Sequence, residues 1–504
     1  MPRHDHTDVS VTGAAHPSAR AKSRLWDLAL ATPKWAPPVA PPPRVPADVA
    51  VALELRTAKA LARLSQRLAE LVREHGGPSA KIRALTFERW RFAALQEESA
   101  ATSRKAPPAH PVIPSGANCE QANKDLATEL RRQGVPSEAA AVTVVAALAA
   151  EAKRLHALLA SRAHRVASGQ TCKGKPLAVR FNLHSVQFVC EGRHVRCSLE
   201  AYGKLAVLHR RHAPADECAS PLAPLAASAG PEDMEVAETS EASAAAAAGE
   251  SSPRTALHAR LFTLLLRYKS LGGHGFQAAI GAPVWQLLTS TMGVGVECFA
   301  SPLNAFLPTF GSAFADVDAA FGSRGSFFKM RPLSGSYACN PPFVHGVMDA
   351  AAGHILELMA AAAAAPGGPA LSFVVILPGW QEGASYKTLT ASPFLRAKIL
   401  IAAADHGFCD GASHQRQDPY RHSPFDTAVL ILQTDKASRK WPAATGTFES
   451  ALRRAFGACV PSETAVARQV RVHLPHIYVC MCMHMHVHAH AHGHTSRRPP
   501  GASI

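Results

Sequence analysis

The chain has 504 residues, enough for two or three domains, and its 38 prolines indicate that part of it lies outside any packed core. An excess of 53 Lys and Arg over 38 Asp and Glu gives a net charge of +15, which suits a polyanionic partner and equally a soluble basic protein. The N-terminus lacks the apolar core of a signal peptide, and no apolar run approaches the ~18 residues that cross a bilayer, so we expect a soluble intracellular protein without membrane contact.

The first segment, residues 1–46, ends in the proline-rich run WAPPVAPPPRVP and is predicted to be a disordered arm. It serves either as a linker or as a partner-binding segment. The 11 cysteines show no disulfide-like spacing, which favours a reducing compartment.

Residues 47–212 are predicted to form a mainly helical domain with a small β-hairpin. Apolar residues recur at helical spacing in four stretches, which begin near Ala47, Phe87, Cys119 and Ser137. The spacing of apolar residues then changes from helical to alternating in FNLHSVQFVC and RHVRCSL. These two stretches flank a Glu-Gly turn and predict a β-hairpin. A helix follows, with Ser198 as its predicted N-cap. The arginines of this domain either contact RNA or lie on solvated helix faces.

A composition change marks residues 213–253, which are rich in alanine and acidic residues and are predicted to be a disordered insertion. Ordered sequence resumes with an apolar helix near Arg254 and a shorter one from Pro283 to Thr291.

The strand predicted at Val294 to Phe299 runs into a loop of small residues. Doubly wound sheets often hold an adenosine cofactor beside a strand that ends in an acidic residue and a tight loop, although the usual glycine-rich fingerprint is missing here. This pattern makes Glu297, Ser301 and Asn304 candidate cofactor contacts, together with Asp318 and Ser323 further along the chain.

The turn FGSRG at residues 321–325 bends at its glycines and presents Arg324. An arginine in this setting contacts a phosphate or carboxylate, or lies in a plain surface turn. We therefore count Arg324 among the candidate substrate contacts.

The motif that organises the chain is Asn340-Pro341-Pro342-Phe343, which matches the signature of enzymes that methylate exocyclic amino groups of nucleobases. An Asn oxygen and a backbone carbonyl accept the two amine N–H bonds, the prolines stiffen the loop, and Phe343 stacks on the base. The alternative for an isolated match is an ordinary Pro-Pro turn with a buried Phe. The predicted strand Tyr337 to Cys339 delivers the motif, as the chemistry requires.

Helix and strand patterns alternate after the motif. A helix follows from Val344, then a strand from Ser372 to Leu377 that ends before Trp380, and two more strands at Lys398 to Ala402 and Thr427 to Gln433. The polar loop from His406 to Ser423 contains His414 and either closes over a substrate or simply connects two strands. Trp380 and His414 complete the candidate substrate contacts.

These elements predict an α/β domain over residues 254–443, for which the Asn340 motif indicates a methyltransferase, and a peripheral tail over residues 444–504. The tail ends in a His-rich low-complexity run, CMCMHMHVHAHAHGH, whose uniform repeat does not pair ligands in the way a selected metal site does. No metal site is predicted.

Residues 254–441 resemble the catalytic region of the phosphorylated-CTD-interacting factor family, the cap-specific mRNA adenosine N6-methyltransferases. The matching stretches, in the family's order, are LLLRY, ECFASPLN, SAFADVDAAFGSRG, PLSGSYACNPPF, LSFVVILPGW and DTAVLILQ.

The resemblance implies a Rossmann-like core, S-adenosyl-L-methionine as methyl donor, capped mRNA as partner, the 2′-O-methyladenosine beside the cap as acceptor, and residence in the nucleus. It also implies that Asn340 to Phe343 hold the adenine, with the cofactor over ECFASPLN and near FGSRG. No WW module is recognisable, so binding to the phosphorylated tail of RNA polymerase II is not predicted. The residues themselves leave open DNA adenine or internal RNA adenine as acceptor, and an inactive RNA-binding scaffold.

Overall fold

The computed structural model describes the chain in ten segments, which are residues 45–77, 84–101, 110–167, 176–213, 217, 253–271, 279–410, 414, 419–443 and 446–463. The predicted N-terminal arm, most of the acidic insertion and the His-rich run lie outside these segments. The described residues form a mixed α/β structure with a helical region ahead of a mixed sheet.

Four helices form the first region. They are α1 (Ala47–Glu74), α2 (Ala84–Ala101), α3 (Glu120–Arg132) and α4 (Glu138–Ala167). The helical spacing of apolar residues predicted their existence, and the apolar stripe is clearest on α1 and α3. The second half of α1 packs its leucines against Trp90 of α2, Leu130 of α3 and Leu148 of α4 in one core.

A three-stranded antiparallel sheet follows, with β1 (Ala178–Asn182), β2 (Ser185–Cys190) and β3 (Arg193–Ser198) in that order. The predicted hairpin is β2–β3, and its turn residues Glu191 and Gly192 have φ of 46° and 71°, as a tight two-residue turn requires. The prediction merged β1 into the first strand, because the short Leu183-His184 turn carries no glycine or proline. Helix α5 (Leu199–His212) begins where Ser198 accepts a hydrogen bond from the Ala201 amide at 3.1 Å, which confirms the predicted cap.

Two helices lead into the larger sheet, α6 (Pro253–Ser270) and α7 (Ala282–Met292). Seven strands follow in the chain, which are β4 (Val296–Glu297), β5 (Gly335–Cys339), β6 (Leu371–Pro378), β7 (Leu395–Ile401), β8 (Gly407–Cys409), β9 (Tyr420–His422) and β10 (Thr427–Gln433). The helices between them are α8 (Ala315–Asp318), α9 (His345–Ala364) and α10 (Ala384–Thr390), and α11 (Asp435–Lys440) and α12 (Gly446–Gly457) come last.

The larger sheet has the order β4-β5-β6-β10-β7. The pairs β4–β5 and β5–β6 are parallel, whereas β10 runs antiparallel to both β6 and β7. Single parallel bridges from Glu297 to Phe310 and from Phe310 to Ser323 continue the pairing beyond β4. The chain therefore leaves β4 towards one edge of the sheet and returns to β5 on the other side.

Alternate residues of the central strands face opposite layers. Val374 and Ile376 of β6 pack in a cluster with residues of α7 and α12, and Phe373 and Val375 pack in a cluster with residues of α9. Helices on both faces leave β6 buried along its whole length.

Among the described helices, α9 alone is long and apolar enough to cross a membrane, with 20 residues and a mean hydropathy of 1.3 over its most apolar window. The expectation that no apolar run approaches that length was therefore wrong. Half of that window is buried, and Ile355, Leu358 and Met359 pack in the cluster that covers one face of the sheet.

Two segments differ from their predicted form. The polar connector between His406 and Ser423 contains an antiparallel ribbon, β8–β9, rather than loop alone. Helix α12, which the sequence assigned to a peripheral tail, buries Phe448, Leu452 and Phe456 in the core. Its apolar residues recur at helical spacing, so the signal was present in the sequence.

A buried arginine joins the helical region to the α/β region. Arg267 of α6 donates to both carboxylate oxygens of Glu54 on α1, at 2.9 and 2.7 Å, and to Asp316 of α8 at 2.8 Å. The side chains of Arg267 and Glu54 are 3% and 2% exposed, so neither charge has water as an alternative partner.

We expect Arg267→Met to lower the free energy of unfolding by about 3–5 kcal/mol, because it leaves the Glu54 carboxylate buried without its partner. Arg453→Met is the control, since Arg453 and Glu449 pair on the surface and such a pair is worth about 0.5 kcal/mol. Urea denaturation of both variants measures the difference. Equal losses would show that Arg267 does not join the two regions energetically.

Candidate active site

A cavity of about 140 Å³ opens at the carboxyl edge of the larger sheet, where the chain leaves β4 and β5. Of the predicted site residues, seven line it, which are Glu297, Ser301, Asn304, Asn340, Pro341, Pro342 and Phe343. The carboxyl ends of adjacent parallel strands meet at one edge, so residues 40 positions apart in the sequence come together there.

The Asn340 motif follows β5 directly, because β5 ends at Cys339 and α9 begins at His345. The Pro342 carbonyl accepts a hydrogen bond from the Val344 amide at 2.7 Å, which closes the turn before the helix. Phe343 is half-buried, and its ring lies 6.0 Å from the Phe408 ring at 77°. The motif is therefore a stiff turn with its aromatic ring held in place.

The loop after β4 forms the facing wall. The amide and hydroxyl of Ser301 both donate to the Asn304 side-chain oxygen, at 2.7 and 2.8 Å. The Ser301 carbonyl accepts from the amides of Asn304 and Ala305 at 3.1 and 2.8 Å. These reciprocal bonds fix a compact turn that takes the place of a glycine-rich loop.

Glu297 lines the cavity but also binds its own loop. One oxygen of its carboxyl group accepts the amides of Phe306 at 2.6 Å and Leu307 at 2.5 Å. Burial raises the pKa of Glu297 to about 8, and the two amides and Lys204 act in the opposite direction. The predicted cofactor contact thus also has a structural role in shaping the wall.

Asp318 is not a lining residue. It is 0% exposed and accepts a hydrogen bond at 2.8 Å from the hydroxyl of Tyr268, which does line the cavity. Burial raises the pKa of Asp318 to about 7, while the Ser312 and Tyr268 hydroxyls lower it. Asp318 reaches the cavity through Tyr268.

Ser323 is also one residue removed from the cavity, since its hydroxyl lies 2.6 Å from that of the lining residue Ser312. Arg324 is half-buried, and its amide donates to the Phe310 carbonyl at 2.8 Å, but it does not line the cavity. The backbone segments around Gly311 and Cys298 approach closely here, because a Cβ on Gly311 would lie only 2.5 Å from the Cys298 carbonyl oxygen.

Trp380 and His414 do not line this cavity. Trp380 lines a separate shallow depression after β6, with its ring 5.2 Å from those of His345 and Phe425. His414 is buried, with 8% exposure, whereas the prediction placed it on a loop that closes over a substrate.

Some cavity residues carried no site signal in the sequence. They are Tyr268, Ala279, Ile280, Trp285, Ser312, Ala313, Phe314 and Ala338. Most are apolar, and they come from α6, from α7 and the residues just before it, from the segment after Phe310 and from β5, so only the folded chain identifies them. Phe299 and Ala300 also line the cavity, and they lie in the strand end and loop that the sequence singled out. Among the described residues there is no group of three or more His, Cys, Asp or Glu side chains arranged to hold a metal ion.

Comparison with known proteins connects this region to one family. The family model described as the WW domain of phosphorylated CTD interacting factor 1 matches residues 244–411. The mRNA (2′-O-methyladenosine-N(6)-)-methyltransferase of Homo sapiens is 35% identical over 192 residues, which are 36% of this chain and 27% of that protein. The Mus musculus protein of the same name is also 35% identical over 192 residues, or 26% of its length.

The range matched by the family model includes every residue that lines the cavity, and the chain spans about a quarter of the length of the two curated relatives. They support the predicted family resemblance over that segment. The expectation that the chain has no WW module is contradicted in part, because the model that matches residues 244–411 is described as a WW domain. The described part of that range contains helices α6 to α10 and strands β4 to β8.

The raised pKa of Asp318 predicts a pH-dependent stability. A carboxyl group with a pKa of about 7 in the folded chain and about 3.9 when unfolded holds its proton more tightly in the folded state. Its contribution to the free energy of unfolding is therefore fully present below pH ~4. That contribution falls by on the order of 4 kcal/mol as the pH rises to about 7. We expect Asp318→Asn to remove this loss, since the amide oxygen still accepts from Tyr268.

Urea denaturation between pH 4.5 and 7.5 measures this difference in slope between Asp318→Asn and the unsubstituted chain. Asp435→Asn is the control, because the Asp435 side chain is 82% exposed and its removal leaves the slope unchanged. Identical slopes for Asp318→Asn and the unsubstituted chain would contradict a protonated, buried Asp318.

Proposed function

We propose that this chain is an S-adenosyl-L-methionine-dependent methyltransferase that acts on N6 of the 2′-O-methyladenosine beside the cap of mRNA. The observation that carries the proposal is the position of Asn340-Pro341-Pro342-Phe343 at the carboxyl end of β5, across a cavity from the loop that follows β4. The names and the 35% identity of the two mammalian relatives support the choice of acceptor.

We interpret the core as Rossmann-like. Counting the bridges at Phe310 and Ser323, seven backbone segments lie side by side, and the chain reverses direction across the sheet between β4 and β5. Ligands of open α/β sheets bind at such a switch point, outside the carboxyl ends of the strands. The cavity lies at that point.

The residues that line the cavity suit this cofactor. Phe299 and Phe314 offer apolar walls for an adenine ring, and Ser301 and Asn304 offer polar groups for a ribose or an amino acid. We assign these residues, with Glu297 and Tyr268, to the cofactor, and we assign Asp318 and Ser323 a supporting role behind them. When bound, S-adenosyl-L-methionine supplies an electrophilic methyl group.

Asn340 and its neighbours then hold the acceptor. The adenine N6 lone pair is delocalised into the ring, so the protein must orient the amine for attack. We assign the Asn340 side-chain oxygen and the Pro341 carbonyl as acceptors of the two N–H bonds, because the Pro342 carbonyl already accepts from Val344. Phe343 stacks on the base, and the proton released from N6 passes to water. Orientation supplies most of the acceleration.

The RNA beyond the target base requires further contacts. Trp380, with His345 and Phe425, presents half-buried and exposed rings beside α9, which suits stacking on a neighbouring base. Arg324 is a candidate for a phosphate, while the burial of His414 makes it the weakest of the three predicted substrate contacts. By the same resemblance we propose that the protein is nuclear, and the matched family description supports the phosphorylated polymerase tail as a partner.

We expect Asn340→Ala to lower the single-turnover rate constant of methylation at least about 100-fold, since it removes an acceptor for the reacting amine, while the cofactor dissociation constant changes less than about threefold. Single-turnover methylation of capped RNA that begins with 2′-O-methyladenosine measures the first quantity, and calorimetry measures the second. Asn182→Ala is the control, because Asn182 is an exposed residue of the small sheet. Equal rates for the two variants would overturn the catalytic assignment.

The acceptor is tested separately with four substrates, which are capped RNA, the same RNA without the cap, RNA with an internal adenosine, and DNA. Preference for capped RNA by at least about 100-fold supports the proposal. Comparable rates on DNA or internal adenosine would leave the amine chemistry standing and replace the acceptor. No methylation together with no cofactor binding would instead identify an inactive scaffold.

A further inference from the structure

Lys204 lies on α5, in the region before the acidic insertion, yet its side chain reaches the loop that follows β4. The residue is 4% exposed, and its ammonium group donates a hydrogen bond of 2.6 Å to the carbonyl of Ala305, 101 residues further along the chain. Its neighbours Leu205 and Leu208 pack in the core of the small sheet and α6. The contact therefore joins two parts of the fold.

Burial of an ammonium group is costly, so a buried lysine needs partners that offset the lost hydration. Burial lowers the pKa of Lys204 to about 8, and Glu297 raises it, followed by Cys409 and Glu200. A methionine of similar length would fill the same space without this cost. The lysine thus contributes a specific interaction rather than packing alone.

Lys204 and Glu297 both bind the same short loop. Glu297 binds the amides of Phe306 and Leu307, and Lys204 binds the carbonyl of the preceding residue, Ala305. The Ala305 amide in turn donates to the carbonyl of Ser301, which lines the cavity. Two consecutive peptide groups, which join Ala305 to Phe306 and Phe306 to Leu307, are therefore held by one buried acid and one buried base.

Helix α5 also contacts the second loop beside the cavity. The His209 ring lies 5.8 Å from the Phe321 ring, and a Cβ on Gly322, whose φ is 105°, would lie 2.8 Å from His212 Nε2. The helix therefore packs against both the loop after β4 and the turn near Ser323.

We propose that Lys204 is a positioning residue, which acts through the Ala305 carbonyl to set the shape of the cofactor-facing loop from α5. This inference rests on the proposed function for the identity of the ligand, but not for the contact itself. Lys204 does not line the cavity and touches neither cofactor nor base.

The test compares Lys204→Met with the unsubstituted chain in two measurements. Hydrogen exchange followed by mass spectrometry needs no ligand, and we expect the amides of residues 300–307 to exchange at least about tenfold faster in the variant. Calorimetry with S-adenosyl-L-methionine should give a dissociation constant about tenfold higher. The KM for capped RNA, measured at saturating cofactor, should stay within about twofold.

Lys436→Met is the matched control, because the Lys436 ammonium also donates to a backbone carbonyl, that of Gly367, on an exposed surface near the start of β6. It should leave both measurements unchanged. The double variant Lys204→Met with Glu297→Gln separates charge balance from the carbonyl bond, since the Gln oxygen still accepts the two amides. We expect the amides of residues 300–307 to exchange as fast in the double variant as in Lys204→Met.

Three outcomes would overturn the inference. They are unchanged exchange of residues 300–307, a uniform rise in exchange over the whole α/β region with equal losses for cofactor and RNA, and recovery of slow exchange in the double variant. Absence of cofactor binding by the unsubstituted chain would count against the proposed function alone, because the exchange measurement still reports on the loop.

Discussion

The Glu297 carboxyl group fixes the geometry on which the candidate site depends. Strand β4 is only two residues long, and the chain must turn immediately after it to form the cavity wall. The amides of Phe306 and Leu307 lie at the end of that turn, where a buried N–H without an acceptor is costly. One carboxyl oxygen satisfies both, so the loop closes back on the strand that it leaves and Ser301 and Asn304 remain between the two ends.

The helical region of α1 to α4 also supports the cavity wall, because α1 binds α6. Consecutive residues of this helix point in two directions, because Arg267 binds Glu54 of α1 and Tyr268 binds Asp318 beside the cavity. Anchoring Arg267 therefore fixes the position of Tyr268. The helical region is thus part of the support of the site rather than a separate appendage, and a change at the buried Arg267 pair is transmitted to a lining residue.

The sequence predicted what local pattern controls. The helix stripe of α1, the Glu191-Gly192 turn, the Ser198 cap, and the strand before Asn340 all depend on residues close together in the chain, and all were found. The antiparallel direction of β10 and the ribbon β8–β9 depend on pairing between distant segments, which periodicity does not encode. The hydrogen bond from Lys204 to Ala305 spans 101 residues and is of the same distant kind. The second role of Glu297 is local, but it depends on a loop closure that periodicity does not encode either.

In the proposed function, the residues that orient the amine and those that choose the substrate lie in different places. The groups to which we assign the amine lie within four consecutive residues after β5, and their geometry depends on the local turn. The rings suited to a longer RNA, at His345, Trp380 and Phe425, come from three different segments outside the cavity. We therefore propose that acceptor choice depends on the surfaces that α9 and the ends of β6 and β10 bring together, whereas amine methylation depends on the motif itself. In this proposal a substitution in those rings weakens RNA binding, and one in the motif displaces the reacting amine.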